Sequence, residues 1–249
     1  MTDILLAGES WSTTSLLVKG RDVATASSYT EAADHLIDAL ESVGASVTHM
    51  PGDVVVRDFP RSKEALDEYD LVLLSDIGAQ SLLLTPQVSA GQTDVNRCRL
   101  LGEWVAEGGA LGMLGGYTSF AGEGGAAGYA RTELADVLPV EIAHHDDRVE
   151  TPEGAVPQNV GLPELPEEWP HVLGYNKLTA DPDAEVLARV RDDPLVVIGE
   201  HGEGTTLAYA TDCAPHWAPM EFLEWEHLPD MWDALLDRLV RVEAESARV

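Results

Sequence analysis

TTLAYATDCAPHW (residues 205–217) begins as an apolar, strand-like run and ends as a polar loop. The run covers residues 205–210, and the loop carries Asp212, Cys213 and His216. A strand that opens into such a loop is where an open α/β sheet keeps its chemistry. The same arrangement recurs upstream. GESW (8–11) follows the apolar run DILLA (3–7), SDIG (75–78) closes the run LVLLS (71–75), and GGYTSF (115–120) follows residues 110–114. Four such junctions imply one shared cleft at the C-terminal edge of a sheet.

The segments between these runs read as helices. Residues 27–44 predict a helix with capping-box spacing at Ser28 and Glu31 and an apolar stripe of Ala33, Leu36, Ile37, Leu40 and Val43. Residues 46–49 read as a second strand. A helix over about 94–107 places Val95, Cys98, Leu101, Trp104 and Val105 on one face and stops at Gly108 and Gly109. Alternating strands and helices imply a mostly parallel, doubly wound sheet. The regularity then fades. Residues 121–130 are glycine-rich and read as a mobile loop, and residues 151–170, with five prolines, read as an excursion without regular structure. Residues 185–190, 195–199 and 205–210 read as strands, the last two joined as a hairpin around GEHGEG (199–204). A last helix over roughly 229–242 uses Met231, Trp232, Leu235, Leu236, Leu239 and Val240, and residues 243–249 read as a frayed tail. One domain over residues 1–242 is expected, since no linker divides the chain.

Composition bounds the function. The 249 residues carry 15 Lys+Arg against 44 Asp+Glu, a net charge of −29, with lysine only at positions 19, 63 and 177. The acids are spread along the chain, which fits a solvating, halophilic surface. A surface this negative excludes general nucleic-acid binding, because phosphate contacts need clustered cations. Two cysteines make no disulfide framework, and CxxC metal knuckles are missing. No stretch approaches 18 apolar residues, and the N-terminus lacks a basic leader pattern, so no membrane association and a cytoplasmic location are expected.

GESW, SDIGA, GGYTSF, HDDRVETPEG (145–154) and DCAPHW (212–217) together resemble the class I glutamine amidotransferase-like family, a relative of the trehalose-utilisation proteins. The resemblance spans residues 8 to about 225 and implies a flavodoxin-like three-layer α/β/α fold. It also implies a cysteine nucleophile in a GxCxG turn after the fourth strand, with a late His-x-Glu. Here that turn reads Gly112-Met113-Leu114-Gly115-Gly116, with leucine in the cysteine's place, and Ala218 stands where the glutamate would follow His216. Glutamine hydrolysis by that triad is therefore not expected.

The residues suggest a different set. His216 and Asp212 are spaced for a carboxylate–imidazole pair, and Glu9 is a further acid/base candidate. Ser10, Asp76, Tyr117, Ser119, Asp147 and Arg148 are candidates for substrate binding, and Gly115 and Gly116 could offer backbone amides to developing negative charge. Trp11 reads equally as a ligand wall or a core residue. His144, His145, Asp146 and Asp147 do not make a metal set, because adjacent side chains point apart, and no cofactor is implied. The leading expectation is a protein that binds or transforms a small polar metabolite, a sugar or an amide. Two alternatives stand beside it: a non-catalytic binding or regulatory module, and a hydrolase using Cys213. A homo-oligomer is compatible with such a fold, but no sequence feature specifies an interface.

Overall fold

The computed structural model describes residues 1–240. In chain order the elements are β1 (Thr2–Gly8), β2 (Ser10–Lys19), β3 (Asp22–Glu31), α1 (Asp34–Ser42), β4 (Ala45–Met50), α2 (Gly52–Asp58), α3 (Lys63–Leu66), β5 (Leu71–Ser75), α4 (Ala79–Leu83), α5 (Pro86–Ser89), α6 (Arg97–Ala106) and β6 (Ala110–Leu114). After three short 3₁₀ turns come β7 (Val140–Glu141), β8 (Arg148–Ala155), β9 (Pro157–Asn159), β10 (Val172–Asn176), β11 (Thr179–Ala180), β12 (Glu185–Val190), β13 (Asp193–His201), β14 (Gly204–Tyr209), α7 (Met220–Leu223) and α8 (Leu228–Leu239). The expected tail, and the last two residues of the expected final helix, lie outside the described residues.

Eight strands form one mixed sheet in the order β4-β1-β5-β6-β14-β13-β12-β9. The first five are parallel; β13, β12 and β9 extend the sheet antiparallel. Counted along the chain, the parallel strands lie in the order 2-1-3-4-5. Strand order therefore reverses between β1 and β5, the kind of junction where an open sheet leaves a crevice at its C-terminal edge. Ile4–Ala7 and Leu71–Leu74 are at most 1% exposed. Such continuous apolar runs are the mark of parallel strands covered on both faces. Register does the rest: Gly8 pairs with Ser75, Ser75 with Leu114, and Leu114 with Tyr209. The four strands thus end in one row, and whatever follows each of them shares one edge.

Three expectations are corrected. The helix expected over 27–44 begins only at Asp34, and Ser28 and Glu31 lie in β3. Residues 10–31 instead form a hairpin, β2 pairing with β3 from Ser10↔Glu31 to Lys19↔Asp22. Its threonines and valines favour strand, and Gly20, at φ 63°, opens the two-residue turn as a II′ geometry requires. The glycine-rich stretch is packed rather than loose: Ala121, Ala127 and Tyr129 are buried, and the Tyr129 hydroxyl donates to the Ile77 carbonyl at 2.6 Å. The proline-rich stretch contains strand, since β8 pairs with β10 and β9 closes the edge of the large sheet.

Candidate functional site at the strand-order reversal

Gly8 ends β1 at φ 111°, and a Cβ there would lie 2.0 Å from the Ser75 carbonyl oxygen. Glycine is the residue that lets the two backbones approach this closely. The chain then turns inward through Glu9, which holds the left-handed φ of 50° while its amide donates to the Ser75 carbonyl at 2.9 Å. This turn buries the Glu9 carboxylate, leaving the residue 1% exposed. Asp76 is the second non-glycine residue at this edge with positive φ, 38°. Backbone strain of this kind persists where the surroundings hold it, and it clusters at functional sites.

Around Glu9 the ends of β5 and β14 supply the neighbours. The Ser75 hydroxyl donates to Glu9 Oε2 at 2.5 Å, and the Cys213 thiol donates to the same oxygen at 3.5 Å. Ser75 Oγ and Cys213 Sγ are 3.3 Å apart. Glu9 Oε1 is buried and has no hydrogen-bond partner among the described residues. Asp212 is 4% exposed, and ligand atoms of Glu9, Asp212 and Cys213 all lie within 4.8 Å of one another.

Two carboxyls and a thiol, buried together, cannot all ionise. Burial pushes Glu9 up to about 7, opposed by the Ser75 hydrogen bond and reinforced by the charge of Asp76. Burial and the charges of Glu9 and Asp76 raise Asp212 as well. Cys213 is driven well above the ordinary thiol range by burial, and then by the charges of Glu9 and Asp212. The neutral thiol is a poor nucleophile.

A second ring of residues holds the next loop. Gly116 lies against Asp76, whose Oδ1 a Cβ at this glycine would meet at 2.6 Å. Asp76 Oδ1 accepts from the Thr118 amide at 2.6 Å and hydroxyl at 2.9 Å. Asn176 accepts from the Gly116 amide at 3.0 Å and donates to Asp147 Oδ1 at 2.9 Å. Asp147 in turn accepts from the Ala121 and Gly122 amides at 3.1 and 2.9 Å.

At the rim, Tyr117 is the hub. Its hydroxyl donates to Glu150 at 2.8 Å, the Arg148 guanidinium sits 4.4 Å from its ring centroid, and the His216 ring meets it edge-on at 4.7 Å. Trp217 donates to the other Glu150 oxygen at 3.2 Å. Arg148 is also held by Asp146, at 2.8 Å.

Measured against the sequence reading, the four strand ends converge, but several details differ. Asp212 and His216 do not pair. Among the described residues Asp212 accepts from the Ala214 amide at 3.1 Å and turns inward, whereas His216 is exposed beside Tyr117. The Gly115 and Gly116 amides are not free for an anion: the first donates to the Tyr209 and Thr211 carbonyls, the second to Asn176. Ser10 accepts from the Gly52 amide at 2.7 Å, and Asp147 is tied to backbone amides, so both brace the loops. Ser119 is buried, and its hydroxyl has no partner among the described residues. Trp11 is neither wall nor core; it stands on the hairpin, 39% exposed. Ser75, Glu150 and Asn176 were missed. Ser75 could have been found as the last residue of its strand run, whereas only the three-dimensional return of β8 and β10 brings in Glu150 and Asn176.

The family model described as "Putative glutamine amidotransferase" matches residues 3–241. Cytoplasmic Protein STM1381 from Salmonella typhimurium LT2 is 40% identical, with a TM-score of 0.92 over 96% of this chain and 99% of that one. Cytoplasmic Protein STM3548 from Salmonella typhimurium is 36% identical with the same TM-score and coverage. The cold-adapted beta-galactosidase from Rahnella sp. R3 is 16% identical, with a TM-score of 0.50 over 83% of this chain but 26% of its own, a likeness of fold alone. No curated protein matches the chain. The match over nearly every residue, together with two relatives that superpose end to end, makes this chain a member of the glutamine amidotransferase-like family.

Proposed function

We propose that this chain, a single domain of flavodoxin-like three-layer architecture, binds a small polar metabolite at the C-terminal edge of its sheet and moves a proton on it with Glu9. The observation that carries the reading is the Glu9 carboxyl. It is buried at the strand-order reversal, has one oxygen without a partner, and is raised to about 7, where an acid can both give and take a proton near neutrality. Asp212, raised by burial and by the charge of Glu9 beside it, is the neighbouring acid that competes with Glu9 for a proton. His216, exposed beside the Tyr117 ring, is the second proton-transfer group of this reading. Asp76, Ser119, Tyr117 and Arg148 are the polar contacts for a sugar- or amide-like ligand, and Ser10, Gly115, Gly116 and Asp147 hold the loops that carry them. No cofactor is part of this reading. Leu114, buried where the family's nucleophile would stand, argues against glutaminase chemistry, and the raised thiol argues against a hydrolase built on Cys213. The cytoplasmic relatives, and the lack of any helix among the described residues long and apolar enough to cross a membrane, support a cytoplasmic location.

A second reading, a binding module without turnover, is favoured by the same Leu114. One experiment separates the two. Wild type and Glu9→Gln are incubated with a library of sugars and amides; binding is followed by ligand-observed NMR and product by mass spectrometry. The enzyme reading expects Glu9→Gln to lose at least about 10²-fold in turnover while ligand binding persists. Binding by both proteins with no product from either assigns the module, and equal turnover removes Glu9 from the chemistry.

A further inference from the structure

Among the described residues, the hairpin β2–β3 is a long element that nothing covers. It is a two-stranded sheet of its own, and nineteen of the twenty strand residues are exposed, Ser10 being the exception. Its exposed side chains include Leu16 at 66%, Leu17 at 52%, Val18 at 59%, Val23 at 63% and Tyr29 at 50%. Register sorts them onto opposite faces. Leu16, Val18, Val23 and Tyr29 share one face, and Trp11 and Leu17 share the other with Ala24 and Ala26. An antiparallel ribbon meant for water on one side alternates apolar with polar; here both sides carry apolar groups. An isolated two-stranded ribbon is also marginal in water and gains its order from what covers it.

Charge points to the covering molecule. The chain carries −29 overall, yet the hairpin is neutral, with Lys19 and Arg21 balanced by Asp22 and Glu31 and no other charge along it. Two copies of so acidic a chain repel each other over most of their surface. The hairpin is where they can meet without setting acid against acid, and Lys19 and Arg21 at its tip are cations that can reach carboxylates on the other body. The size is sufficient. A stable interface takes about 20–30 residues a side, and each arm offers two ten-residue strands and their turn. We infer that the hairpin is a dimerisation arm and that its occupant is a second copy of this chain, the two arms embraced reciprocally.

The arm is rooted in the candidate site. It starts at the residue after Glu9, and the Ala32 amide closes it by donating to the Glu9 carbonyl at 3.0 Å. Covering the arm therefore steadies the turn that buries Glu9.

The test is light scattering on the full chain in molar KCl, where screening removes self-repulsion. The expected mass for wild type is twice 26.8 kDa, falling toward the monomer on dilution below about 1 μM as mass action requires. The double variant Leu16→Glu/Val18→Glu is expected to be monomeric with an unchanged thermal melt, since these side chains are exposed and lie outside the core. Hydrogen exchange on wild type gives an independent readout: amides in residues 11–30 are protected at high concentration and lose that protection on dilution. A wild type that stays monomeric overturns the proposal, and the arm then belongs to another partner. A monomer that co-floats with phospholipid vesicles would give it to a membrane. A variant that remains dimeric, or arm amides indifferent to dilution, places any dimer contact elsewhere and equally overturns it.

Discussion

The floor and the rim of the candidate site hold their acids in opposite ways. At the rim, each carboxylate has a strong donor: Glu150 takes the Tyr117 hydroxyl and the Trp217 indole, and Asp146 takes the Arg148 guanidinium. On the floor, ligand atoms of Glu9 and Asp212 lie within 4.8 Å of each other, and among the described residues the donors to their side chains are uncharged: the Ser75 hydroxyl, the Cys213 thiol and backbone amides. The same residue types therefore do different work. The rim acids, each held by its donors, fix Tyr117, Trp217 and Arg148 in position. The floor acids, buried with no cation against them among the described residues, compete for protons, and the strained turn at Glu9 keeps them there.

That contrast breaks first, and most visibly, at Glu9. Its acidity in the fold lies at about 7 against an ordinary 4.5, so the native state binds its proton more tightly than the unfolded chain does. The sign follows. The contribution to stability is fully present below pH 4.5 and is lost as pH rises through about 7, a swing of about 3 kcal/mol for a shift of this size. Glu9→Gln removes the titration. Its melting temperature relative to wild type should be higher at pH 8 than at pH 4, and a difference that does not change with pH would mean that Glu9 is ionised in the fold at no cost.

A smaller effect is expected between floor and rim. Asn176→Ala strips the Gly116 amide of its acceptor, at about 1–3 kcal/mol for a buried group left unsatisfied, while Asp147 Oδ1 keeps the Gly122 amide. Denaturant titration measures it, and a loss under about 0.5 kcal/mol would show that the loop rearranges to satisfy the Gly116 amide. At the rim, Arg148→Ala should cost about 1 kcal/mol or less, because its partners are partly solvated, and the loss should shrink in high salt. A salt-independent loss would mean that Arg148 contributes by packing its stem rather than by charge.

How much of this was legible in the sequence follows from what fixes each part. The parallel strands were readable because burial on both faces leaves uninterrupted apolar runs, and their ends marked positions 9, 76, 115 and 212. The hairpin was hidden by chemistry common to two structures. Ser28 and Glu31 have the spacing of a helix cap, and a ribbon destined for a partner lacks the apolar–polar alternation that marks a strand on a core. The Asp212–His216 pair failed because spacing says nothing of direction. Asp212 lies in the loop after β14 and turns into the protein, while His216, beyond Pro215, turns out. Asn176 reaches Gly116 across 60 residues and Asp147 across 29, where β8 pairs with β10, and no local pattern records such a closure.

The two oxygens of Glu9 are not equivalent, and this inequality has a chemical outcome. Oε2 receives the Ser75 hydrogen and faces the Cys213 thiol, so it is already occupied as an acceptor. When the carboxyl becomes neutral, its hydrogen belongs on Oε1, the atom that no group among the described residues holds. Under the proposed reading the acid then has one outlet, and the proton it carries near neutrality is handed on to a ligand at Oε1.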